Sequence, residues 1–247
     1  MHSPWTYLRL IGAGYVLVRE GVVSMLPPEE LPPAMRFVQK LARPFARRKA
    51  MNADRSDRLA RAVERLGPSW VKLGQFLATR PDVVGAEIAA DLSMLQDRMA
   101  MFPDAEARKE IEDSLGRPIS DLFTRFDPPI AAASIAQVHP AEVKTETGKK
   151  KVAVKVIRPG VRKRFRKDLD TFYLVAEMQE RYVPATRRLR PIEITRTLEQ
   201  TTKVEMDLRL EAAALSEMAE NTADDPGFRV PLVDWERTGR DCVTMEW

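Results

Sequence analysis

Lys155 stands in the run Val152-Ala153-Val154-Lys155-Val156-Ile157, whose β-branched residues favour a strand. Strand alternation puts Val152, Val154 and Val156 on one face and Ala153, Lys155 and Ile157 on the other. A charge between apolar neighbours on a strand face needs a partner. A phosphate or a carboxylate would serve, and so would water if the strand were an exposed edge.

Upstream, Ala131-x-Ala133-x-x-Ala136-x-Val138 keeps the spacing of the phosphate-cradling loop of kinases, G-x-G-x-x-G-x-V, with alanine at each glycine position. Alanine still lets backbone amides approach a ligand but gives up positive φ, so a stiffer nucleotide loop is predicted. Alanine runs also make helices and cores. The loop reading draws its support from the V-A-V-K strand that begins 14 residues after Val138.

A lysine used in this way needs a glutamate from a following helix to orient its ammonium toward the phosphates. Glu205, Asp207 and Glu211 are the candidates. Asp207 and Glu211 lie four apart, on one helix face, where like charges repel unless a cation stands between or beside them. Arg209 and Lys203 would give such screening on an ordinary solvated surface. A further group is Trp70-Val71-Lys72-Leu73-Gly74-Gln75-Phe76-Leu77, a short helix after Gly67-Pro68 with Trp70, Leu73 and Leu77 as its packing side and Lys72, Gln75 and Thr79 on another. Gly74 in the interior costs about 1 kcal/mol relative to alanine, so a close neighbour is expected there; simple exposure of the Lys/Gln face is the alternative.

These residues must be positioned by two kinds of architecture. From Asp54 to Leu115 the pattern is helical, with stripes Leu59/Val63/Leu66 and Ile88/Leu92/Leu95 punctuated at Gly67-Pro68-Ser69 and Arg80-Pro81-Asp82. Ile130–Val143 and Lys151–Ile157 then read as a hairpin about Thr147-Gly148, residues 162–182 and 192–221 as helix, and Arg229–Trp235 with Cys242–Trp247 as a second hairpin about Thr238-Gly239. Pro140 falls inside the second strand and predicts an edge or a bulge.

At the N-terminus, Leu8, Ile11, Tyr15, Val18 and Val22 recur at helical spacing. Residues 1–50 hold eight Lys/Arg against three Asp/Glu, so the chain's net charge of +4 is an N-terminal property. Ordinary packing would cover the stripe; an anionic membrane surface, met with Arg36, Lys40, Arg43, Arg47, Arg48 and Lys49, is the other cover. Four prolines between Pro27 and Pro33 mark a connector. The longest apolar run there, Leu10–Val18, is nine residues, against the roughly 20 that span a bilayer.

With 247 residues and 44% hydrophobic side chains the chain can bury a sizeable core. One cysteine, Cys242, allows no internal disulfide, and His2 and His139 leave little for a zinc site. The basic patch lacks interleaved aromatics, which argues against nucleic acid.

Taken in order, these motifs resemble the UbiB/ADCK group of atypical kinase-like proteins tied to ubiquinone biosynthesis. Lys72-Leu73-Gly74-Gln75 resembles its K-x-G-Q motif, Ala131-Ala132-Ala133-Ser134 its alanine-rich loop, Lys155 its strand lysine and Glu205-Met206-Asp207 its E-x-D motif, with Glu211 at the αC glutamate. The resemblance implies an α+β kinase-like N-lobe, a five-stranded antiparallel sheet plus an αC-like helix, with an N-terminal helical extension. Its domains would be a basic segment 1–50, a helical extension 51–125 and the N-lobe 126–247. It further implies ATP with Mg2+ in the longer protein, held through Ala131, Ala132, Ala133, Ser134, Ala136, Val138, Ala153, Lys155 and Glu211, with Met245 as gatekeeper and Glu246-Trp247 opening the hinge. Lys72 is expected to pair with Glu205 or Asp207, its helix docked on the αC-like helix through Gly74. A catalytic-loop H-x-D and a D-F-G are absent from the 247 residues, so the C-lobe and the family's transmembrane segments are expected to be missing. The implied role is an ATPase supporting ubiquinone biosynthesis at the cytoplasmic face of the bacterial inner membrane, with quinone-type lipids, the membrane surface and other ubiquinone-biosynthesis proteins as partners. A non-enzymatic membrane-associated scaffold is the alternative.

Overall fold

The computed structural model describes residues 2–25, 33–95 and 99–247, without the side chains of residues 33–35, 38 and 49. The connector read between Pro27 and Pro33 therefore lies outside the described residues, apart from the backbone of Pro33.

In chain order the helices are α1 (Pro4–Arg19), α2 (Pro33–Ala42), α3 (Arg48–Met51), α4 (Arg55–Leu66), α5 (Pro68–Ala78), α6 (Pro81–Val84), α7 (Ala86–Ser93), α8 (Asp104–Leu115), α9 (Ile119–Leu122), α10 (Val161–Tyr182), α11 (Pro191–Glu205) and α12 (Leu208–Asn221). The strands are β1 (Arg125–Phe126), β2 (Ala131–Ala132), β3 (Ala136–Thr145), β4 (Gly148–Ile157) and β5 (Cys242–Glu246). Two compact units share them, residues 1–97 with 163–198 and residues 98–162 with 199–247. None of the helices among the described residues is long and apolar enough to cross a membrane.

The first unit is helical. Ser3 caps α1, its hydroxyl accepting from the Trp5 amide, and Pro4 supplies a helix-compatible φ at the first turn. The opposite end is fixed by Glu20, a buried carboxylate 3.4 Å from Arg47 and 3.2 Å from Arg65. The packed side of α1 carries Thr6 and Ala13, whereas Leu8, Ile11 and Tyr15 are 58%, 68% and 59% exposed. Val18 and Val22 are half-buried, so the described residues cover the C-terminal end of the predicted stripe and leave Leu8, Ile11 and Tyr15 open.

Gly67 joins α4 to α5 with φ +99°, and a β-carbon there would stand 2.3 Å from the Arg164 guanidinium, which donates to the Leu66 carbonyl at 2.7 Å. Helix α5 buries Ser69, Val71 and Gly74 rather than the predicted Trp70, Leu73 and Leu77. Those three instead wall an apolar cleft of about 240 Å³ shared with Phe172 and Ile194, in which Trp70 meets Phe172 edge-on at 5.0 Å between ring centres. Gly74 faces α7: an added β-carbon would lie 2.6 Å from Leu95 Cδ1 and 3.4 Å from Leu92 Cδ2. The expected close neighbour exists, and it belongs to the helical unit itself.

The second unit is built on an antiparallel five-stranded sheet in the order β1-β3-β4-β5, with β2 also paired to β3. The α+β expectation therefore holds. One sheet face is packed with Val152, Val154, Val156 and Cys242 against Phe102, Ala107 and Ile111, the last two from α8. Helix α12 packs on β5, and its first amide, Leu208, donates to the Arg240 carbonyl at 3.0 Å.

The bulge expected at Pro140 is present, and two other local expectations are corrected. Pro140 lies in β3, an interior strand, and the β3–β4 register runs unbroken from Ala136↔Ile157 to Thr145↔Gly148. On its other side residues 127–130 oppose only His139 and Pro140, between the pairs Phe126↔Ala141 and Ala131↔Val138, so the bulge is there, in the segment between β1 and β2; the Asp127 carbonyl, opposite the missing Pro140 amide, accepts from the His139 ring at 2.9 Å. The helix read across 192–221 breaks at Met206-Asp207: Asp207 has an extended backbone and its carboxylate accepts from the Arg209 amide, making it the cap of α12. The second hairpin reduces to one bridge, Val233↔Met245, followed by a short turn over Trp235–Arg237. The ladder goes no further because the Leu232 amide donates to the Glu246 carboxylate at 3.3 Å and the Thr244 amide to the Thr238 hydroxyl at 3.2 Å, and Arg237 is held by the Leu122 carbonyl at 2.6 Å and Asp234 at 2.9 Å.

Candidate functional site

Antiparallel register sets out the candidate residues in rows. Lys155 pairs with Val138 on β3 and Val243 on β5, while Ala153 pairs with Pro140 and Met245. Directly paired residues share a sheet face, so Val138, Ala153, Lys155 and Met245 lie together, opposite the packed valines and half-exposed. On the same face Pro140 and Val243, the partners of Ala153 and Lys155, are buried, as is Ile157, so in these rows the opening is confined to Val138, Ala153, Lys155 and Met245.

Helix α12 supplies the partner for Lys155. The ammonium donates to both carboxylate oxygens of Glu211, at 2.8 and 2.7 Å, with the two side chains 29% and 36% exposed. Glu211 sits in the first helical turn, where the helix dipole favours a negative charge. The Asp207 carboxylate is bound by the Arg209 guanidinium at 2.9 and 2.6 Å, and this ion pair holds its pKa below the usual carboxylate value. Asp207 and Glu211 therefore have the cations Arg209 and Lys155, and the predicted i,i+4 repulsion is offset locally.

The alanine segment forms a tight hairpin. Ala131 pairs with Val138 and Ala132 with Gln137, and the Ala133 amide closes the turn by donating to the Ala136 carbonyl at 2.8 Å. Ser134 and Ala136 are buried, and the Arg158 amide braces the turn by donating to the Ile135 carbonyl at 2.8 Å. Among the described residues, positive φ occurs only in glycines and Arg190; the alanine hairpin closes without it. Lys72, Gly74 and Gln75 lie on α5 of the helical unit, while Glu205, the last residue of α11, and Asp207 belong to the sheet-bearing unit.

Beneath the hairpin lies a buried network that spacing alone did not single out. The Gln137 side chain accepts from the Phe102 amide at 3.0 Å and donates to the Phe102 carbonyl at 3.3 Å and to His139 Nε2 at 2.9 Å. His139 Nδ1 then donates to Asp127, so the imidazole is neutral with its proton on Nδ1. Its ring is stacked on Phe126 at 4.5 Å, and burial first of all pushes its pKa below the ordinary 6.5. The signal available in the sequence was a polar pair at alternate positions of an otherwise apolar strand.

At the end of β5, on the other sheet face and paired with Val152, the Glu246 carboxylate accepts from Lys150 at 2.7 Å, Arg229 at 3.1 Å and the Leu232 amide at 3.3 Å. The Lys150 bond foremost draws its pKa down to about 2. Lys151 lies over the Trp247 ring, 3.6 Å from its centre. Cys242 is buried, and desolvation raises its thiol pKa to about 11, which removes it as a nucleophile. No group of three or more His, Cys, Asp or Glu side chains converges among the described residues to hold a metal. The arrangement fits an anionic phosphate chain at Lys155, and its residues do not by themselves fit a metal ion.

A strand lysine clasped by a helix glutamate beside a short phosphate-loop-like hairpin is a kinase N-lobe arrangement, and residues 94–247 match the family model of the ABC1 atypical kinase-like domain. The chain belongs to the ABC1 atypical kinase-like family. It is similar to the probable protein kinase UbiB of Marinobacter nauticus, 41% identical over 96% of this chain and 43% of that protein. The same named protein of Pseudomonas fluorescens is 40% identical over 81% of this chain and 37% of its own length. That of Cellvibrio japonicus is 38% identical over 97% and 42%. The chain thus spans about two fifths of the length of these relatives.

Proposed function

We propose that this chain carries the nucleotide-holding lobe of an atypical kinase-like ATPase that supports ubiquinone biosynthesis. The observation that carries the reading is the bidentate Lys155–Glu211 pair on the open sheet face, flanked by Val138, Ala153 and Met245. Lys155 would hold the α- and β-phosphates of ATP while Glu211 fixes its ammonium. Magnesium would accompany the triphosphate, but the described residues offer it no cluster. Quinone-type lipids and other ubiquinone-biosynthesis proteins are the partners in this reading. A membrane surface belongs to it as well, supported by the open Leu8/Ile11/Tyr15 stripe of α1.

The test is titration of the 247-residue chain with a fluorescent ATP analogue. Lys155→Ala should weaken binding by at least about tenfold, the scale of one charge-assisted contact; affinity unchanged within a factor of about two would overturn the phosphate site. The chain itself should show no ATP turnover above its Lys155→Ala variant, since it lacks the H-x-D and D-F-G aspartates. In the full-length Marinobacter relative, ATP hydrolysis that rises with liposomes supports the ATPase. Nucleotide binding without hydrolysis would select the scaffold.

A further inference from the structure

The open stripe of α1 borders a cleft between α1 and α10 whose chemistry is more specific than an apolar face. It measures about 400 Å³ and is lined by Ser3, Trp5, Thr6, Arg9, Lys167 and Asp170, within the size range of small-molecule sites. Two cations and one carboxylate converge there. Arg9 is oriented from behind by Asp168 at 3.2 Å, yet remains 38% exposed, so part of its guanidinium faces the cleft. Asp168 is shared with Arg164 at 3.9 Å and is not the cleft's own acid. Lys167 and Asp170 are exposed and three apart on α10, on one helix face.

Trp5 connects the cleft to the stripe. It is 74% exposed at the rim and falls on the same side of α1 as Leu8 and Tyr15. An indole beside an apolar face settles at the headgroup level of a bilayer, with the apolar residues deeper. A lipid phosphate would then lie at the depth of Arg9 and Lys167.

We propose that this cleft is a headgroup slot for a zwitterionic aminophospholipid, a phosphate ester bearing a free ammonium. The phosphate sits between Arg9 and Lys167, and the ammonium donates to Asp170. A purely anionic headgroup would leave Asp170 facing negative charge, and a choline headgroup has no N–H to give it. The inference rests on the reading that α1 meets a membrane.

Flotation of the 247-residue chain with phosphatidylcholine vesicles, and with the same vesicles containing phosphatidylethanolamine or phosphatidylglycerol, tests both levels. Binding to the ethanolamine vesicles should exceed binding to choline vesicles by roughly fivefold. Asp170→Asn should abolish that preference, bringing ethanolamine and choline vesicles level, and Lys167→Gln should lower binding to both. Circular dichroism confirms that each variant is folded. Equal binding to ethanolamine and choline vesicles, a preference untouched by Asp170→Asn, or a stronger preference for phosphatidylglycerol overturns the slot. If Ile11→Glu leaves vesicle binding intact, or no vesicle binds the wild type, the membrane reading itself falls and the slot with it. Vesicle binding that depends on Ile11 but ignores the headgroup removes the slot alone.

Discussion

His139 donates from Nδ1 to the Asp127 carbonyl, 2.9 Å away, at the place in the sheet where Pro140 has no amide to offer. The neighbouring side chain thereby satisfies an acceptor that the backbone leaves open, and Gln137 fixes the ring by occupying Nε2. Loss of the ring would leave a buried carbonyl unmatched and a void beside Phe126. His139→Ala should therefore cost about 1–3 kcal/mol, read as a lowered denaturation midpoint in urea.

The same histidine sets a pH dependence. Burial depresses its pKa below 6.5 in the folded chain, so between the two values the unfolded state binds more protons. Its contribution is present above pH 6.5 and is lost as pH falls toward the folded-state pKa. Urea denaturation across that interval should show a steeper loss of stability in the wild type than in His139→Gln. Parallel slopes would remove His139 as the cause.

Glu211→Gln should separate stability from ligand binding. The Lys155–Glu211 pair is about one third exposed on both sides, where such pairs contribute about 1 kcal/mol or less. The variant should unfold near the wild-type midpoint yet bind the fluorescent ATP analogue more weakly, because Lys155 is no longer held. A large drop in stability with intact affinity would make the pair structural.

Glu20 offers the contrast of a buried acid. Its carboxylate is almost wholly enclosed, with Arg47 and Arg65 converging on it. Glu20→Ala should destabilise the helical unit by about 1–3 kcal/mol, and Glu20→Gln by less. Hydrogen exchange should localise the loss to α1 and α4. A protection pattern unchanged in α1 would show that these ion pairs are incidental.

Cys242 should resist modification. With its thiol raised to about 11, the thiolate population at about pH 8 is small and access is blocked. Ellman's reagent should find no reactive thiol in the native chain and one per chain in urea. Rapid native labelling would mean that β5 opens readily.

Much of the site was legible because it depends on two short periods. Alternation places Ala153 and Lys155 on one face, and of the candidates Glu205, Asp207 and Glu211 the family resemblance points to Glu211 as the partner. The errors arose where spacing carries no tertiary information. At 207 the four-residue interval to Glu211 presumed an uninterrupted helix, whereas aspartate's capping tendency broke it. The expectation of a tight neighbour at Gly74 was sound, but nothing local says that the neighbour is Leu95. Pro140 announced a missing donor, and only the fold shows an adjacent imidazole supplying one. The α1 stripe defined a face without defining what meets it.

The alanine hairpin has a thermodynamic corollary. Its turn is closed by the Ala133–Ala136 hydrogen bond, braced by Arg158 and free of left-handed backbone, so its conformation is set before any ligand arrives. A glycine loop draws part of its fit from mobility and loses that entropy on complexation; these alanines have already relinquished it during folding. Calorimetry should find a smaller entropic penalty of association than for a variant with glycine at 131, 133 and 136. The same rigidity narrows the range of ligand shapes the hairpin can follow, exchanging adaptability for selectivity.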